Sequence, residues 1–461
     1  MRGESTRIVI SDLHLGCGDR FDIFEATGKT ASFVAFVEGC AARPEAVELV
    51  INGDFVDFLQ LKPWDTVSNR EIAIEKAEKI AAANIELLSA LGKFLAASKN
   101  SLRVLLGNHD IEIAFNDVWS RFSARILSAA PDGKLHRENA RVSYNPIING
   151  VHVAIEHGNK RDYWNEIRYA ELFQDNEKST SSYRHPPGTR LVYEIMNGFK
   201  DHLQFVDLLK PEMPAVPLLL LRLRPIPAAA AIPAATWKLL NAFVYGLASS
   251  LRRQASGPRL GVGAETATSE ENAYDLLAAE YAAEFGNADR TEAATEIERY
   301  VEDPDPVETT APNLGRRWTK VTDALKRTVL RRLGRSAAVG NRQWFQADHP
   351  DLLDVGWAAS EFVGKVQIVI FGHTHGALKH ERSDGAVYLN SGTWANLIEM
   401  PSDPSAFSIW LTSIADNSFV RTSFPTFIVL EPIATGVRAS LHHWTGTAAE
   451  ELWSKSISPS K

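Results

Sequence analysis

Residues 8–16 read IVISDLHLG, an apolar run that ends in an aspartate and a histidine. The β-branched residues at its start are typical of a buried strand. Asp12 and His14 follow at the carboxyl end of that strand, with one residue between them. An Asp-x-His pair can form turn hydrogen bonds and nothing more, or it can be half of a metal site. The choice depends on whether the rest of the chain supplies the other half.

Similar apolar runs recur along the chain and alternate with longer stretches of helical periodicity. The segment 70–98, rich in Ala, Glu, Lys and Leu, predicts helix. Strands are predicted in the β-rich runs at 7–11, 47–52, 102–106, 151–156, 366–371, 386–390 and 426–430. Because strands and helices alternate, the pattern indicates an α/β fold.

Polar clusters follow five of these predicted strands. After the cluster at Asp12 and His14 come NGDFVD at 52–57, GNHD at 107–110, EHGN at 156–159 and GHTHG at 372–376. In layered α/β folds the carboxyl ends of the strands converge on one edge, where ligands bind. Each cluster alone is compatible with ordinary turn chemistry. Their recurrence at one strand end after another favours a shared pocket.

The ordered set Asp-x-His, Gly-Asp-x-x-Asp, Gly-Asn-His-Asp, His-Gly and Gly-His-x-His resembles the calcineurin-like metallophosphoesterase superfamily. The motifs are complete and extend from residue 12 to residue 375, while 165–345 lies outside the resemblance. The resemblance implies a four-layer α/β/β/α sandwich, here with a large, mostly helical insertion. Alternation alone supports only the α/β class.

The resemblance also implies two metal ions that share one ligand. The first ion would be bound by Asp12, His14, Asp54 and His375, and the second by Asp54, Asn108, His157 and His373. Carboxylate, amide and imidazole ligands without a thiolate suit Mn²⁺, which we favour, with Fe, Zn²⁺ or Ni²⁺ as alternatives. Two such ions can activate a bridging hydroxide and clamp both oxygens of an in-line phosphoryl displacement.

Three residues beside these ligands have roles that the resemblance suggests. His109 corresponds to the histidine that protonates the leaving oxygen, and Asp110 would orient it. Asp57 resembles a carboxylate that holds a ligand imidazole, and its alternative is a turn cap.

Further substrate candidates follow the fourth motif. Asp162 and Asn165 recur after His-Gly in some bacterial phosphoesterases and are expected at the substrate entrance, although Asp162 could equally cap a helix. Arg161 is a candidate for binding phosphate.

The motifs also narrow the reaction. Phosphoprotein phosphatases carry Arg and Glu where this chain has Phe58 and Asp110, so a protein phosphatase is disfavoured. SDLHLG at 11–16 resembles the opening of UDP-diacylglucosamine pyrophosphatases and of SbcD-like repair nucleases. We predict hydrolysis of a phosphodiester or pyrophosphate bond in a substrate that can be nucleotide- or lipid-linked. The alternatives are an SbcD-like DNA nuclease and a non-catalytic binding protein that retains the fold.

Composition limits the partners and the compartment. The chain has 461 residues and a formal net charge of −8, which disfavours nucleic acid because DNA affinity depends on neutralising phosphates. Its two cysteines are too few for a disulfide framework. No apolar signal region precedes the first strand, so a cytoplasmic location is expected.

The domain organisation predicted from the sequence has three parts. Residues 1–164 and 346–448 would form the core, 165–345 a helical insertion, and 449–461 a disordered tail. The apolar stretch 214–248 is broken by prolines and is not a convincing transmembrane segment. It is either a buried helical pair or a lid that permits peripheral membrane contact.

Overall fold

A computed structural model of the chain describes most of residues 4–161 and of the region after residue 364. The described residues are 4–19, 21–24, 29–62, 70–138, 143–161, 165–167, 169, 185–186, 188–189, 192–193, 197, 208–210, 364–399, 409–410, 413 and 418–459. The chain divides into two compact units. One comprises Met1–Thr189, Trp344–Asn396 and Thr422–Lys461, and the other Arg190–Gln343 and Leu397–Arg421.

The strands and helices of the first unit confirm the mixed α/β class. The helices are α1 (Lys29–Ala41), α2 (Arg70–Ala83), α3 (Ile85–Ala96) and α4 (Asn116–Leu127). In chain order the strands are β1 (Thr6–Ile10), β2 (Val47–Asn52), β3 (Ser101–Leu105), β4 (Lys134–Glu138), β5 (Ser143–Tyr144), β6 (Ile147–Ile148), β7 (Val151–Glu156), β8 (Leu209–Lys210), β9 (Ile368–Phe371), β10 (Ala377–Glu381), β11 (Val387–Ser391), β12 (Ile398–Glu399), β13 (Thr426–Ile433), β14 (Gly436–Trp444) and β15 (Ala449–Ile457). In the second unit, β8 and β12 form a short parallel pair.

Two sheets organise the first unit. A seven-stranded sheet has the order β15-β14-β13-β1-β2-β3-β4, in which β1 to β4 are parallel. A six-stranded sheet has the order β10-β11-β9-β7-β5, with β6 paired to β7. The parallel arrangement brings the carboxyl ends of β1, β2 and β3 to one edge, and those of β7 and β9 to one edge of the other sheet.

Alternating side chains of the seven-stranded sheet pack into two different layers. Val9, Val50 and Leu105 join residues of β7, β9 and β11 in an apolar core between the sheets. Their neighbours Ile8 and Leu49 pack with the buried faces of the helices. The described residues therefore form helix, sheet and sheet layers, and the predicted fourth layer stays a prediction.

The structure corrects two expectations at the boundaries of elements. Residues 449–457 form β15, which pairs antiparallel with β14, where a disordered tail was expected. The error arose because β15 is an edge strand with many exposed polar side chains, so its sequence lacks the apolar run that indicates a strand. The helical segment 70–98 is divided at Asn84, whose side-chain amide donates to the carbonyls of Ile80 and Gly16.

Two other expectations fall on residues that the structure does not describe. The insertion at 165–345, apart from isolated residues up to 210, and its apolar stretch 214–248 lie outside the described part of the chain. Within the described part, no helix is long and apolar enough to cross a membrane.

A partly buried ion-pair cluster joins the two sheets. The carboxylate of Glu48 on β2 accepts hydrogen bonds from Arg103 Nε at 2.8 Å and from the Tyr144 hydroxyl at 2.7 Å, and pairs with Arg7 Nε at 3.2 Å. Arg7 and Arg103 are on strands of the same sheet, whereas Tyr144 is on β5 of the other. The cluster therefore fastens the sheets through one carboxylate.

Removal of this carboxylate should destabilise the fold. Glu48→Ala leaves two largely buried guanidinium groups without their shared anion, and breaking a buried ion pair in this way costs up to about 3–5 kcal/mol. We expect a loss of that size in the free energy of unfolding, measured by urea denaturation. The control is Glu75→Ala on the exposed face of α2, where a change within about 0.5 kcal/mol is expected. Equal effects of the two substitutions would contradict the role of Glu48.

Candidate metal centre

The predicted ligands lie on loops that follow the strands of the two sheets. Asp12 and His14 follow β1, Asp54 and Asp57 follow β2, and Asn108 to Asp110 follow β3. His157 follows β7, and His373 and His375 lie between β9 and β10. Both sheets therefore contribute, and the loops bring these residues into contact.

Backbone conformation at the site is unusual. Asp12, His14, Asp54, His373 and His375 all have positive φ, between 49° and 68°. This left-handed region is uncommon for residues other than glycine, and such strain persists only where the surrounding structure enforces it. Among the described non-glycine residues, Asn149 is the one other case. Strain is thus concentrated at the predicted ligands.

Backbone hydrogen bonds between the first two loops enforce these conformations. Asp12 N donates to Gly53 O at 3.2 Å, and His14 N donates to Asp54 O at 2.9 Å. The loops after β1 and β2 therefore continue side by side beyond the sheet. As a result, Asp12, His14 and Asp54 project towards the same point.

The first group of ligand atoms surrounds His14 and His375. Their Nε2 atoms lie 3.0 Å apart, and Asp12 Oδ1 lies 3.3 Å from His375 Nε2. Asp54 Oδ2 lies 3.5 Å from His14 Nε2. All four side chains are buried. Their spacing and chemistry are those of atoms that could bind one cation.

The second group surrounds His157. Its Nε2 lies 3.1 Å from Asp54 Oδ2 and 3.2 Å from Asn108 Oδ1. His373 joins this group, since ligand atoms of Asp54, His157 and His373 all lie within 4.8 Å of one another. Asp54 Oδ2 thus faces both groups, as expected of a shared ligand.

The tautomers of His14 and His157 indicate why a cation fits. His157 Nδ1 lies 2.9 Å from the carbonyl of Asn52, and His14 Nδ1 lies 3.0 Å from the carboxylate of Asp57. Both Nδ1 atoms must therefore carry a proton, which leaves the Nε2 lone pairs of neutral rings directed at carboxylate and amide oxygens. Acceptors that face acceptors repel unless a cation or an extra proton lies between them. The donor set thus fits divalent metal ions.

The charged side chains of the site shift one another's pKa values. Burial would lower the pKa of His157, but the negative charges of Asp54 and Asp12 outweigh it and raise the pKa to about 9. Burial would raise the pKa of Asp12 and Asp54, but the neighbouring histidines hold both well below the usual range. Burial and the charge of Asp54 raise the pKa of Asp110 to about 7.

The residue that contacts His109 differs from the prediction. Asp57 Oδ2 lies 2.9 Å from His109 Nδ1, whereas Asp110 accepts from the backbone N–H groups of Gly107 at 2.7 Å and Phe55 at 2.8 Å. The prediction that Asp110 orients His109 was therefore wrong. Asp110 ties the third loop to the second, because its side chain turns back towards the strand ends.

Asp57 combines the two roles that the sequence left as alternatives. Its Oδ1 accepts from Leu59 N at 2.8 Å, which caps a 3₁₀ turn at Phe58–Gln60. Its Oδ2 contacts the imidazoles of His14 and His109. One carboxylate therefore orients a predicted metal ligand and the predicted acid together.

The loop after β11 supports the site. Thr393 Oγ1 donates to Asp12 O at 2.8 Å, and Trp394 N donates to the same carbonyl at 3.1 Å. Asn390 Nδ2 donates to Gly372 O at 2.8 Å, just before the two predicted histidines. The sequence feature that could have identified this loop is an Asn at the end of an apolar strand, as in the other motifs. This loop holds two ligand loops in place.

The candidates after the fourth motif remain predictions. Asp162 lies outside the described residues, as does the side chain of Arg161 at the end of the 3₁₀ turn Asn159–Arg161. The backbone carbonyl of Asn165 accepts from Asn159 Nδ2 at 3.0 Å.

Buried clusters of His and Asp that could bind metal ions lie at the edges of the two sheets of this α/β fold. Residues 6–204 match the family model described as calcineurin-like phosphoesterase. The chain therefore carries a calcineurin-like phosphoesterase domain, and the superfamily predicted from its motifs is confirmed. A search of curated protein sequences found no match. The domain and the buried clusters together support a metal-dependent phosphoesterase whose substrates are phosphoesters.

Gly107 tests whether the position of Asp54 controls metal binding. A Cβ atom at Gly107 would lie 2.0 Å from Asp54 Oδ1 and 2.4 Å from Asp54 N, so Gly107→Ala must displace the shared carboxylate. We expect the affinity for Mn²⁺ to fall at least about tenfold, as when a ligand loses its support. Isothermal titration calorimetry of the metal-free protein measures this.

The matched control is Gly39→Ala in α1, where an added Cβ meets nothing within 4 Å. This substitution should leave Mn²⁺ affinity unchanged. An equal affinity in the Gly107 and Gly39 variants would show that Asp54 is not a ligand.

Metal binding should depend on pH in a window that ends near pH 9. Since the pKa of His157 is raised to about 9, its ring is protonated at neutral pH and must lose a proton to bind a metal ion. The apparent affinity for Mn²⁺ should rise between pH 6 and 9, by about tenfold per pH unit for each proton displaced. Calorimetry in buffers of different protonation enthalpy counts the protons, and no proton release at pH 7 would contradict the assignment.

Proposed function

We propose that the chain is a dinuclear metal-dependent phosphoester hydrolase that cleaves a phosphodiester or pyrophosphate bond. The observation that carries the proposal is the position of Asp54 Oδ2, 3.5 Å from His14 Nε2 and 3.1 Å from His157 Nε2. A single buried oxygen that faces two groups of inward-directed ligand atoms is what a bridging carboxylate requires.

The proposed ligands are those that the motifs predict. The first ion is assigned to Asp12, His14, Asp54 and His375, and the second to Asp54, Asn108, His157 and His373. We propose Mn²⁺ as the ion, because hard oxygens and imidazoles without thiolate suit it. Two bound ions would supply an activated water and would stabilise negative charge on the phosphoryl oxygens.

His109 is the proposed general acid. Its side chain is 26% exposed, in contrast to the fully buried His157, so its ring can reach a substrate at the open side of the centre. Burial would lower the pKa of His109, but the charges of Asp57 and Asp54 raise it above the ordinary value. Because Asp57 holds Nδ1, His109 can present a proton on Nε2 to a leaving oxygen.

The diester or pyrophosphate preference comes from the motifs of the chain. Phe58 and Asp110 occupy the positions of the Arg and Glu that mark phosphoprotein phosphatases. Phe58 is apolar as well as buried, and so it offers no charge to a phosphate. Candidates for a nucleotide- or lipid-linked group, Arg161, Asp162 and the stretch 214–248, remain proposals.

The deciding experiment is a hydrolysis panel with added Mn²⁺ and with a chelator. The panel contains a phosphomonoester, bis(p-nitrophenyl) phosphate, a UDP-linked sugar lipid and DNA. Cleavage of the diester or the UDP-lipid, abolished by the chelator, would support the proposal. Activity on the monoester alone would overturn the diester preference, and preferential cleavage of DNA would favour the nuclease. Metal binding without hydrolysis would favour a non-catalytic binding protein.

His109 can be tested by the leaving group of the substrate. His109→Ala should lower kcat by about 10²–10⁴-fold for diphenyl phosphate, because departure of its basic phenolate is assisted by a proton. The loss should be much smaller for bis(p-nitrophenyl) phosphate, because the nitro group stabilises the departing phenolate. The ratio of the two kcat values therefore reports proton donation directly.

The control for this test is His152→Ala, which removes an exposed imidazole from β7. It should change neither kcat. If His109→Ala lowered both rates equally, His109 would have a role other than proton donation.

A further inference from the structure

Gln60 is a buried polar side chain that the metal centre described above does not use. It is 2% exposed and ends the 3₁₀ turn Phe58–Gln60 that Asp57 caps. The turn places Gln60 three residues after Asp57, so that its side chain folds back onto the carboxylate it follows. A buried amide needs partners for both of its ends.

Those partners fix the orientation of the amide. Gln60 Nε2 donates to Asp57 Oδ2 at 2.9 Å, and Gln60 Oε1 accepts a long hydrogen bond from Ile23 N at 3.4 Å. In the reversed orientation an oxygen would face the carboxylate and an NH₂ group would face an N–H. Only the observed orientation satisfies both ends.

The hydrogen bond from Gln60 completes the set of contacts made by the Asp57 carboxylate. Oδ2 accepts from Gln60 and contacts both His14 Nδ1 and His109 Nδ1, while Oδ1 accepts from Leu59 N. A carboxylate can rotate about its bond to Cβ. The hydrogen bonds from Leu59 and Gln60 oppose this rotation, so that Oδ2 stays directed at the two rings.

The loop after the first motif closes against the same amide. A Cβ atom at Gly16 would lie 2.8 Å from Gln60 Oε1 and 2.7 Å from Asp22 Cγ. The carbonyl of Gly16 is held by Asn84 Nδ2 at 2.8 Å. Gln60 is therefore packed between this loop and Asp57, where it is buried from solvent.

We propose that Gln60 is a positioning residue that fixes the Asp57 carboxylate, and through it aligns the metal ligand His14 and the acid His109 together. The effect on His109 rests on the proposed function, whereas the effect on His14 requires only that the centre binds metal. Loss of Gln60 should lower kcat and Mn²⁺ affinity and leave KM unchanged.

The test uses Gln60→Leu and the nearly isosteric Gln60→Glu. For Gln60→Leu we expect kcat for diphenyl phosphate and Mn²⁺ affinity each to fall by about tenfold, with KM unchanged. Gln60→Glu should cost more, because it sets a second acceptor against Asp57 Oδ2. A residue that merely fills space would give the opposite order, since Glu matches the shape of Gln.

The matched control is Asn100→Leu. Asn100 is also a buried amide with two backbone partners, Val47 N at 3.1 Å and Phe94 O at 3.2 Å, but it lies outside the metal centre. This variant should lose stability yet keep kcat and Mn²⁺ affinity. If it matched Gln60→Leu in both, the effect of Gln60 would be general destabilisation and the proposal would be wrong.

A double-mutant cycle with Asp57→Asn identifies the route of the effect. If Gln60 acts through the carboxylate, Gln60→Leu should change kcat and Mn²⁺ affinity less than twofold in the Asp57→Asn background. Additive losses would overturn the proposal.

Failure of the enzyme and failure of this inference can be told apart. If the wild-type protein cleaves no member of the panel, the proposed function fails, but Mn²⁺ calorimetry still reads the effect on His14. A tenfold weaker affinity in Gln60→Leu, absent in Asn100→Leu, supports the positioning role. Unchanged affinity in Gln60→Leu overturns it.

Discussion

Repulsion between acceptor atoms is the constraint on which the site depends. The lone pairs of His14 and His157 are turned inwards by partners on their Nδ1 atoms, towards carboxylates that are fully buried. In water such groups would separate or be solvated, but here the fold holds them 3.0 to 3.5 Å apart. Such a site favours the binding of cations, because a cation relieves the repulsion that the loops enforce.

The loops resist this repulsion through hydrogen bonds that join one loop to another. Backbone bonds join the first two loops beyond their strands, and Asp110 uses both carboxylate oxygens to tie the third loop to the second. Thr393 and Trp394 then hold Asp12 from the direction of the other sheet. The left-handed conformations of the ligands are therefore sustained by the ends of both sheets, rather than by any one loop.

The sequence allowed the strands and the site loops to be predicted, because both depend on local pattern. The predicted bounds of β2 and β7 agree with the structure, and β1 and β3 differ by one residue. Contacts between loops were not predictable in the same way. Asp110 was chosen as the partner of His109 because it is adjacent in sequence, whereas Asp57 reaches that ring from a neighbouring strand. The strand β15 was missed because half of its pattern faces solvent.

One oxygen atom links the two halves of the chemistry. Asp57 Oδ2 contacts the ring of His14, which faces the metal ligands, and the ring of His109, which is partly open to solvent. Charge drawn from this oxygen towards one imidazole is less available to the other, so the basicity of the proposed ligand His14 and the acidity of the proposed proton donor His109 are coupled. Gln60 donates a third hydrogen bond to the same oxygen, which limits how strongly either ring can draw on its charge. The turn at 57–60 is thus as much a part of the site as the ligands are, although none of its backbone would touch a metal ion.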